Sequence, residues 1–153
     1  MVESLVEAWR VNHRVTLKLI DGLPAAAMKA TLSARGGRDI ARQLAHVHRV
    51  RTAFLKKADM PTGMRQFEKD ESPERPQLKS ALNESADAVE RMILRASAAG
   101  GSVGGYKRDV VTLVSYLIAH EAHHRGSILL TAKQTGHRLG DDLKWGLWAW
   151  DTI

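Results

Sequence analysis

The 153-residue sequence contains no cysteine, and this absence removes several classes of functional site. Disulfide bonds, zinc fingers with thiolate ligands, iron–sulfur clusters and cysteine nucleophiles all need a residue that the chain lacks. A metal site in this protein must therefore be built from histidine, aspartate or glutamate.

Long apolar runs are missing as well. No stretch approaches the roughly 20 apolar residues that a membrane-spanning helix needs, and the first residues lack the basic-then-apolar pattern of a secretory signal. We therefore expect a cytoplasmic protein without a membrane partner. With 44% hydrophobic and 26% charged residues, the composition is that of a globular protein, and the length fits a single domain over residues 1–153.

The charge is basic but dispersed. Lys and Arg number 23 against 17 Asp and Glu, which gives a formal net charge of +6. Pairs such as Lys56-Lys57 and Lys107-Arg108 are far apart in the sequence, and acidic residues lie between them, so no basic arm is present. This pattern is typical of a solvated surface. We expect no nucleic-acid partner, because the net positive charge is the only feature of the sequence that favours nucleic-acid binding.

Helical periodicity is present in four segments. Apolar residues recur at steps of three and four over residues 3–20, 39–58, 75–99 and 109–135. The polar segment 59–76 holds three of the four prolines, so it predicts a long loop between the second and third helices. No alternating strand pattern is found. The sequence therefore predicts an all-α four-helix bundle with a long helix 2–helix 3 crossing loop.

The carboxyl-terminal segment concentrates three of the four tryptophans within six residues, at positions 145, 148 and 150. Such a cluster can form an aromatic lid over a pocket, an anchor that plugs one end of the bundle, or both together. We expect the anchor.

Histidines cluster on the second and fourth predicted helices. His120 and His124 are four residues apart, so they lie on one helical face and can bind one ion at about 2.0–2.1 Å each. His123 points about 100° away from His124 and cannot join them. A third ligand must come from another helix. His46 and His48 flank the apolar stripe of helix two on opposite sides, and periodicity does not distinguish them. The alternative to a metal site is that these histidines are packing residues with hydrogen bonds at the edge of the core.

The segment His120-Glu-Ala-His-His124 also matches the H-E-x-x-H motif of zinc proteases. In that interpretation Glu121 is the general base of a hydrolase. However, no strand is predicted that would hold a peptide. Helical geometry puts Glu121 near the centre of the apolar stripe, where it would be a buried partner of an arginine or histidine, or would orient a ligating imidazole.

Three stretches together resemble the DinB-like family of metal-binding four-helix bundles. They are Leu44–Arg51, His120–Ile128 and Trp145–Trp150, and their order and spacing agree over essentially the whole chain. The resemblance implies that His46, His120 and His124 bind a divalent metal, with nickel or zinc the usual ions. It selects His46 over His48 because the helix-two histidine of the family follows an apolar and a small residue, here Leu44-Ala45.

The resemblance also implies a function. Relatives in this family include thiol-dependent S-transferases and maleylpyruvate isomerases that use mycothiol, bacillithiol or glutathione. We expect a metal-dependent enzyme that activates such a thiol for reaction with a small-molecule substrate, and a homodimer. Glu121 would support the ligands, and Arg125 would position an anionic group. The alternatives are a stress-related metal-binding module without turnover and the hydrolase.

Overall fold

The computed structural model describes residues 2–153; Met1, which the predicted domain includes, lies outside them. The helices are α1 Val2–Gly22, α2 Ile40–Lys57, α3 Arg75–Ala98, α4 Val110–Gln134 and α5 Asp141–Gly146, with a 3-10 helix at Ala25–Lys29. No strand occurs among the described residues, which confirms the all-α prediction. Each long helix ends within two residues of its predicted limits, whereas α5 and the 3-10 helix were not predicted. No described helix combines the length and apolarity that a bilayer span requires.

Local signals explain where the long helices begin and end. The side chains of Asp39 and Asp109 each accept a hydrogen bond from the backbone N–H three residues later, which caps α2 and α4. Glu74 and Gln77 form a capping box at the start of α3. Gly136 follows α4 with φ of 84°, a conformation that glycine adopts without a steric penalty.

The helices run up, down, down and up. α1 and α2 each pack against both α3 and α4. Arg51 donates from Nη1 to the carbonyl of Leu82 at 2.9 Å, and Ala58 shares a surface cleft with Ala96, so α2 and α3 are parallel. The segment between them must return along the length of the bundle, with Phe67 buried in the core. This confirms the long crossing loop.

The core consists of two apolar clusters separated by a buried polar layer. One cluster surrounds Leu19, Leu44 and Ile128, and the other surrounds Trp9 and Leu117. The polar layer lies between them, and its members are Asn12, Thr16, Arg51, Ser85, Glu121 and Arg125. Because four helices contribute to this layer, its hydrogen bonds fix the register of the bundle.

The carboxyl-terminal tail lies against the bundle through aliphatic side chains. Leu147 is buried in the core, whereas Trp145 and Trp148 are 64% and 75% exposed. Arg14 on α1 donates from Nε to the carbonyl of Ile153 at 3.0 Å, which holds the end of the tail. The expectation that the tryptophans plug the bundle is therefore wrong, because leucine supplies the buried contact and the indole rings remain near the surface.

Candidate metal centre

Three histidines from two helices converge at one side of the bundle. His46 comes from α2, and His120 and His124 lie one turn apart on α4. Their ring centroids are 4.6 Å apart for His120 and His124, 5.0 Å for His46 and His124, and 5.3 Å for His46 and His120. One potential ligand atom from each residue lies within 4.8 Å of the other two. This spacing is close to what imidazoles that share an ion at about 2.1 Å require.

The structure distinguishes between the two histidines of helix two. His48 is fully buried, and its Nε2 lies 2.7 Å from the carbonyl oxygen of Arg65 in the crossing loop. Its ring packs edge-on against Phe67, on a different side of α2 from His46. His123 is exposed and does not belong to the cluster, although its ring lies 5.2 Å from that of His124.

The three imidazoles favour the neutral form, which is the form that binds a metal. Burial lowers the pKa of His46 and of His124 to about 4, and neighbouring positive and imidazole groups add to the effect. Burial also lowers the pKa of His120. Nδ1 of His124 is buried without a hydrogen-bond partner, so the protein leaves this nitrogen unengaged. This donor set fits a divalent ion that accepts imidazole ligands.

The chain's family supports the same interpretation. A sequence profile of the DinB family matches residues 1–149. The chain belongs to the DinB family. A comparison with curated proteins found no match. Membership in this family and the three-histidine cluster are together compatible with metal binding.

The centre of this DinB protein is open to solvent and has a positive rim. His46 and His120 are partly exposed, whereas His124 is buried. The charge of Arg38 is one of the causes that lower the pKa of all three histidines, so its positive charge acts on the whole cluster. Arg49 lies 3.5 Å from Nδ1 of His46 through its Nη2. Periodicity could not reveal the role of Arg38, since this residue precedes α2.

Aromatic rings cover one flank of the centre. Tyr116 lies one turn before His120 on α4, and the two rings stack at 6.1 Å with an angle of 22° between their planes. Phe54 of α2 packs edge-on against Tyr116 at 5.3 Å. These rings restrict the orientation of His120 from the side away from His124.

Glu121 of the DinB protein lies in the polar layer. Its Oε1 accepts from Nε of Arg51 at 2.6 Å, and its Oε2 accepts from Nη2 of Arg51 and from Nδ2 of Asn12, both at 2.8 Å. Burial alone would raise the pKa of Glu121, but the charge and hydrogen bonds of Arg51 outweigh it and the pKa is lowered. The carboxylate therefore pairs with an arginine instead of orienting an imidazole. The hydrolase interpretation loses its general base, because Glu121 is 1% exposed.

Arg125 is also in the polar layer. Its Nη1 donates to Oδ1 of Asn12 and to Oγ1 of Thr16, both at 2.9 Å. It lines a cleft between α4, α1 and the carboxyl-terminal tail, and the three histidines are not part of that lining. The structure thus places Arg125 on the flank of α4 that faces α1, whereas the expected role required it beside the metal ligands.

Proposed function

We propose that this DinB-family protein is a divalent-metal-dependent S-transferase, an enzyme that joins a low-molecular-weight thiol through its sulfur to an electrophilic small molecule. The observation that carries the proposal is the convergence of His46, His120 and His124 at a solvent-accessible site. Nickel and zinc are the proposed ions, since both accept imidazole ligands.

Three protein ligands are the number typical of catalytic sites, which keep a position open for water or substrate. A divalent ion at such a site lowers the pKa of a bound water or thiol, and so supplies a nucleophile at neutral pH. The polar layer holds α2 against α4 and thereby keeps the ligands from the two helices together.

The arginines at the rim bring the anionic partner to the centre. Arg38 and Arg49 place positive charge beside the cluster, so a thiolate or a substrate carboxylate is attracted to it. The partly exposed side chains of His46 and His120 mark the side from which a small molecule enters.

The proposed reaction is a substitution at carbon. The sulfur–carbon bond forms, the bond from that carbon to its leaving group breaks, and the leaving group departs with the electron pair. The thiol proton passes to solvent. No oxidant or reductant is consumed.

Turnover can be measured with 1-chloro-2,4-dinitrobenzene as the electrophile and glutathione, bacillithiol or mycothiol as the thiol. We expect thioether formation after loading with Ni²⁺ or Zn²⁺, and its loss on chelation or in the His124→Ala variant. The matched control is His123→Ala, which removes an exposed histidine from the adjacent position and should retain activity. A metal-loaded protein that turns over none of these thiols would contradict the proposal and favour the module without turnover.

A further inference from the structure

The cleft between α4, α1 and the carboxyl-terminal tail lies on the flank of α4 that faces away from the histidine cluster. Its volume is about 330 Å³, within the range of small-molecule sites. Val15 of α1, Ile118 and Leu129 of α4, and Trp148 and Trp150 of the tail form apolar walls. One charged residue, Arg125, contributes to the lining.

Arg125 is a charged residue in the wall of an otherwise apolar cleft, and its side chain is only 10% exposed. Across residues 2–153, Nη1 carries its hydrogen bonds to the protein, while Nε and Nη2 have no protein partner. Both nitrogens lack a partner but keep some solvent-accessible surface. Because Arg125 lines the cleft, a ligand in the cleft can reach them. Two parallel N–H groups of this kind match a carboxylate.

The polar layer also lacks one negative charge. It contains two guanidinium groups, Arg51 and Arg125, and one carboxylate, Glu121, so a single positive charge is left over. Glu121 accepts hydrogen bonds from Arg51, Asn12 and Thr16, whereas its Oε2 is 3.9 Å from Nη1 of Arg125. A nine-tenths buried cation without its own counter-ion is costly, and an anion in the cleft would remove that cost.

We infer that this cleft binds an amphipathic monoanion, a carboxylate carried on an apolar chain or ring, with the carboxylate on Arg125 and the apolar body between Leu129 and the tryptophans. The site is separate from the metal centre and does not depend on the proposed thiol chemistry. Trp148 and Trp150 come from the tail, so a bound molecule would also hold the tail against α4.

The test compares octanoate with 1-octanol, which has the same chain without the charge. Both are titrated into the full-length, chelator-treated protein by calorimetry, and tryptophan fluorescence is followed in parallel. We expect octanoate to bind at least about tenfold more tightly than 1-octanol, because hydrogen bonds between two charged groups are the strong ones. Equal binding of the two compounds would overturn the inference.

Two variants locate the site. Arg125→Gln should reduce the preference for octanoate to below about threefold. Gly126 lines the cleft, so the ring in Gly126→Phe should occupy the space of the ligand and abolish binding of both compounds. The polar layer should be unaffected, because a Cβ at Gly126 meets open space. Gly126→Ala is the matched control and should bind octanoate within about twofold of the original chain. Unchanged octanoate binding in Gly126→Phe would place the ligand elsewhere and contradict the inference.

Sedimentation velocity tests the competing possibility that a second copy of the chain covers the cleft. A chain that sediments as a dimer, becomes a monomer on Gly126→Phe and does not bind octanoate would show that a second copy covers the cleft. That result would overturn the small-molecule site. A chain whose association state is the same in all variants, with octanoate binding as above, supports it.

Discussion

Arg51 and Glu121 form a two-bond ion pair in the middle of the bundle, with distances of 2.6 Å from Nε to Oε1 and 2.8 Å from Nη2 to Oε2. Their side chains are 0% and 1% exposed. Glu121 is the neighbour of His120 on α4, and Arg51 lies five residues after His46 on α2. The pair therefore sets the register in which the two helices present their histidines.

Breaking this pair should destabilise both the fold and the site. Arg51→Ala leaves the Glu121 carboxylate buried without its partner, and we expect a loss of about 3–5 kcal/mol in the free energy of unfolding. Urea unfolding monitored by circular dichroism measures it. Metal affinity should fall as well, since α2 is no longer held against α4.

A control and a compensating variant make this prediction specific. Arg10→Ala removes a partner from the ion pair with Glu90, which lies at the surface, and should cost much less stability. The double variant Arg51→Met/Glu121→Met should recover part of the loss, because the Glu121 carboxylate no longer stays buried without its partner. An Arg51→Ala protein as stable as Arg10→Ala would contradict the role given to the buried pair.

Arg38 should affect the metal and the anionic partner in opposite directions. Its positive charge repels a cation at the cluster and attracts an anion to it. We expect Arg38→Ala to raise metal affinity by about two- to fivefold and to raise the KM for a thiol by a similar factor, because an exposed charge is screened by solvent. Metal titration and steady-state kinetics at low ionic strength measure both effects.

The control for this variant is Arg35→Ala, which removes an exposed arginine from the same loop. It should change neither quantity appreciably. If the two variants behave alike, net charge and not the position of Arg38 is responsible, and the positive rim has no specific role.

His13 makes stability depend on pH. It lies between α1 and α3, with Nε2 2.8 Å from Oδ1 of Asn83 and Nδ1 buried without a partner. Burial lowers the pKa of His13 to about 4, and the charge of Arg51 acts in the same direction, while Asn83, Glu121 and Asp87 oppose it. The folded protein therefore holds this imidazole neutral at pH values where the unfolded chain protonates it.

The unfolded histidine has a pKa near 6.5. Between about pH 6.5 and 4 the unfolded state binds more protons, so the free energy of unfolding falls as the pH is lowered through this window. His13→Gln should reduce that slope, whereas His123→Gln, at an exposed position, should leave it unchanged. Denaturant titrations of the metal-free protein at several pH values measure the slopes. Identical slopes for His13→Gln and the original chain would refute the assignment.

The helices were predictable because their signals are local. The apolar periodicity and the capping residues Asp39 and Asp109 lie within each segment, so the ends agree within two residues. The choice of His46 over His48 was not available from periodicity, since it depends on a contact of His48 with the distant carbonyl of Arg65. Within the sequence, only the family resemblance distinguishes His46 from His48.

The errors and omissions concern contacts between distant segments. Helical geometry correctly indicates that Glu121 is buried and can pair with an arginine or histidine, but no spacing rule identifies Arg51, 70 residues away, as that partner. The clustering of three tryptophans in the tail predicts that they anchor it to the bundle, and this prediction is wrong. The tail instead buries Leu147, and the positions of Trp145 and Trp148 leave their rings outside the core.

The most direct test of the account is the metal content of the purified chain and its variants after dialysis against Ni²⁺ or Zn²⁺, measured by inductively coupled plasma mass spectrometry. We predict about one ion per chain for the original protein and for the controls His123→Ala and His137→Ala. We predict loss of the ion in His46→Ala, His120→Ala and His124→Ala, with circular dichroism showing that each remains folded. Stoichiometric metal in any folded variant of the three, or none in the original protein, would contradict the metal centre.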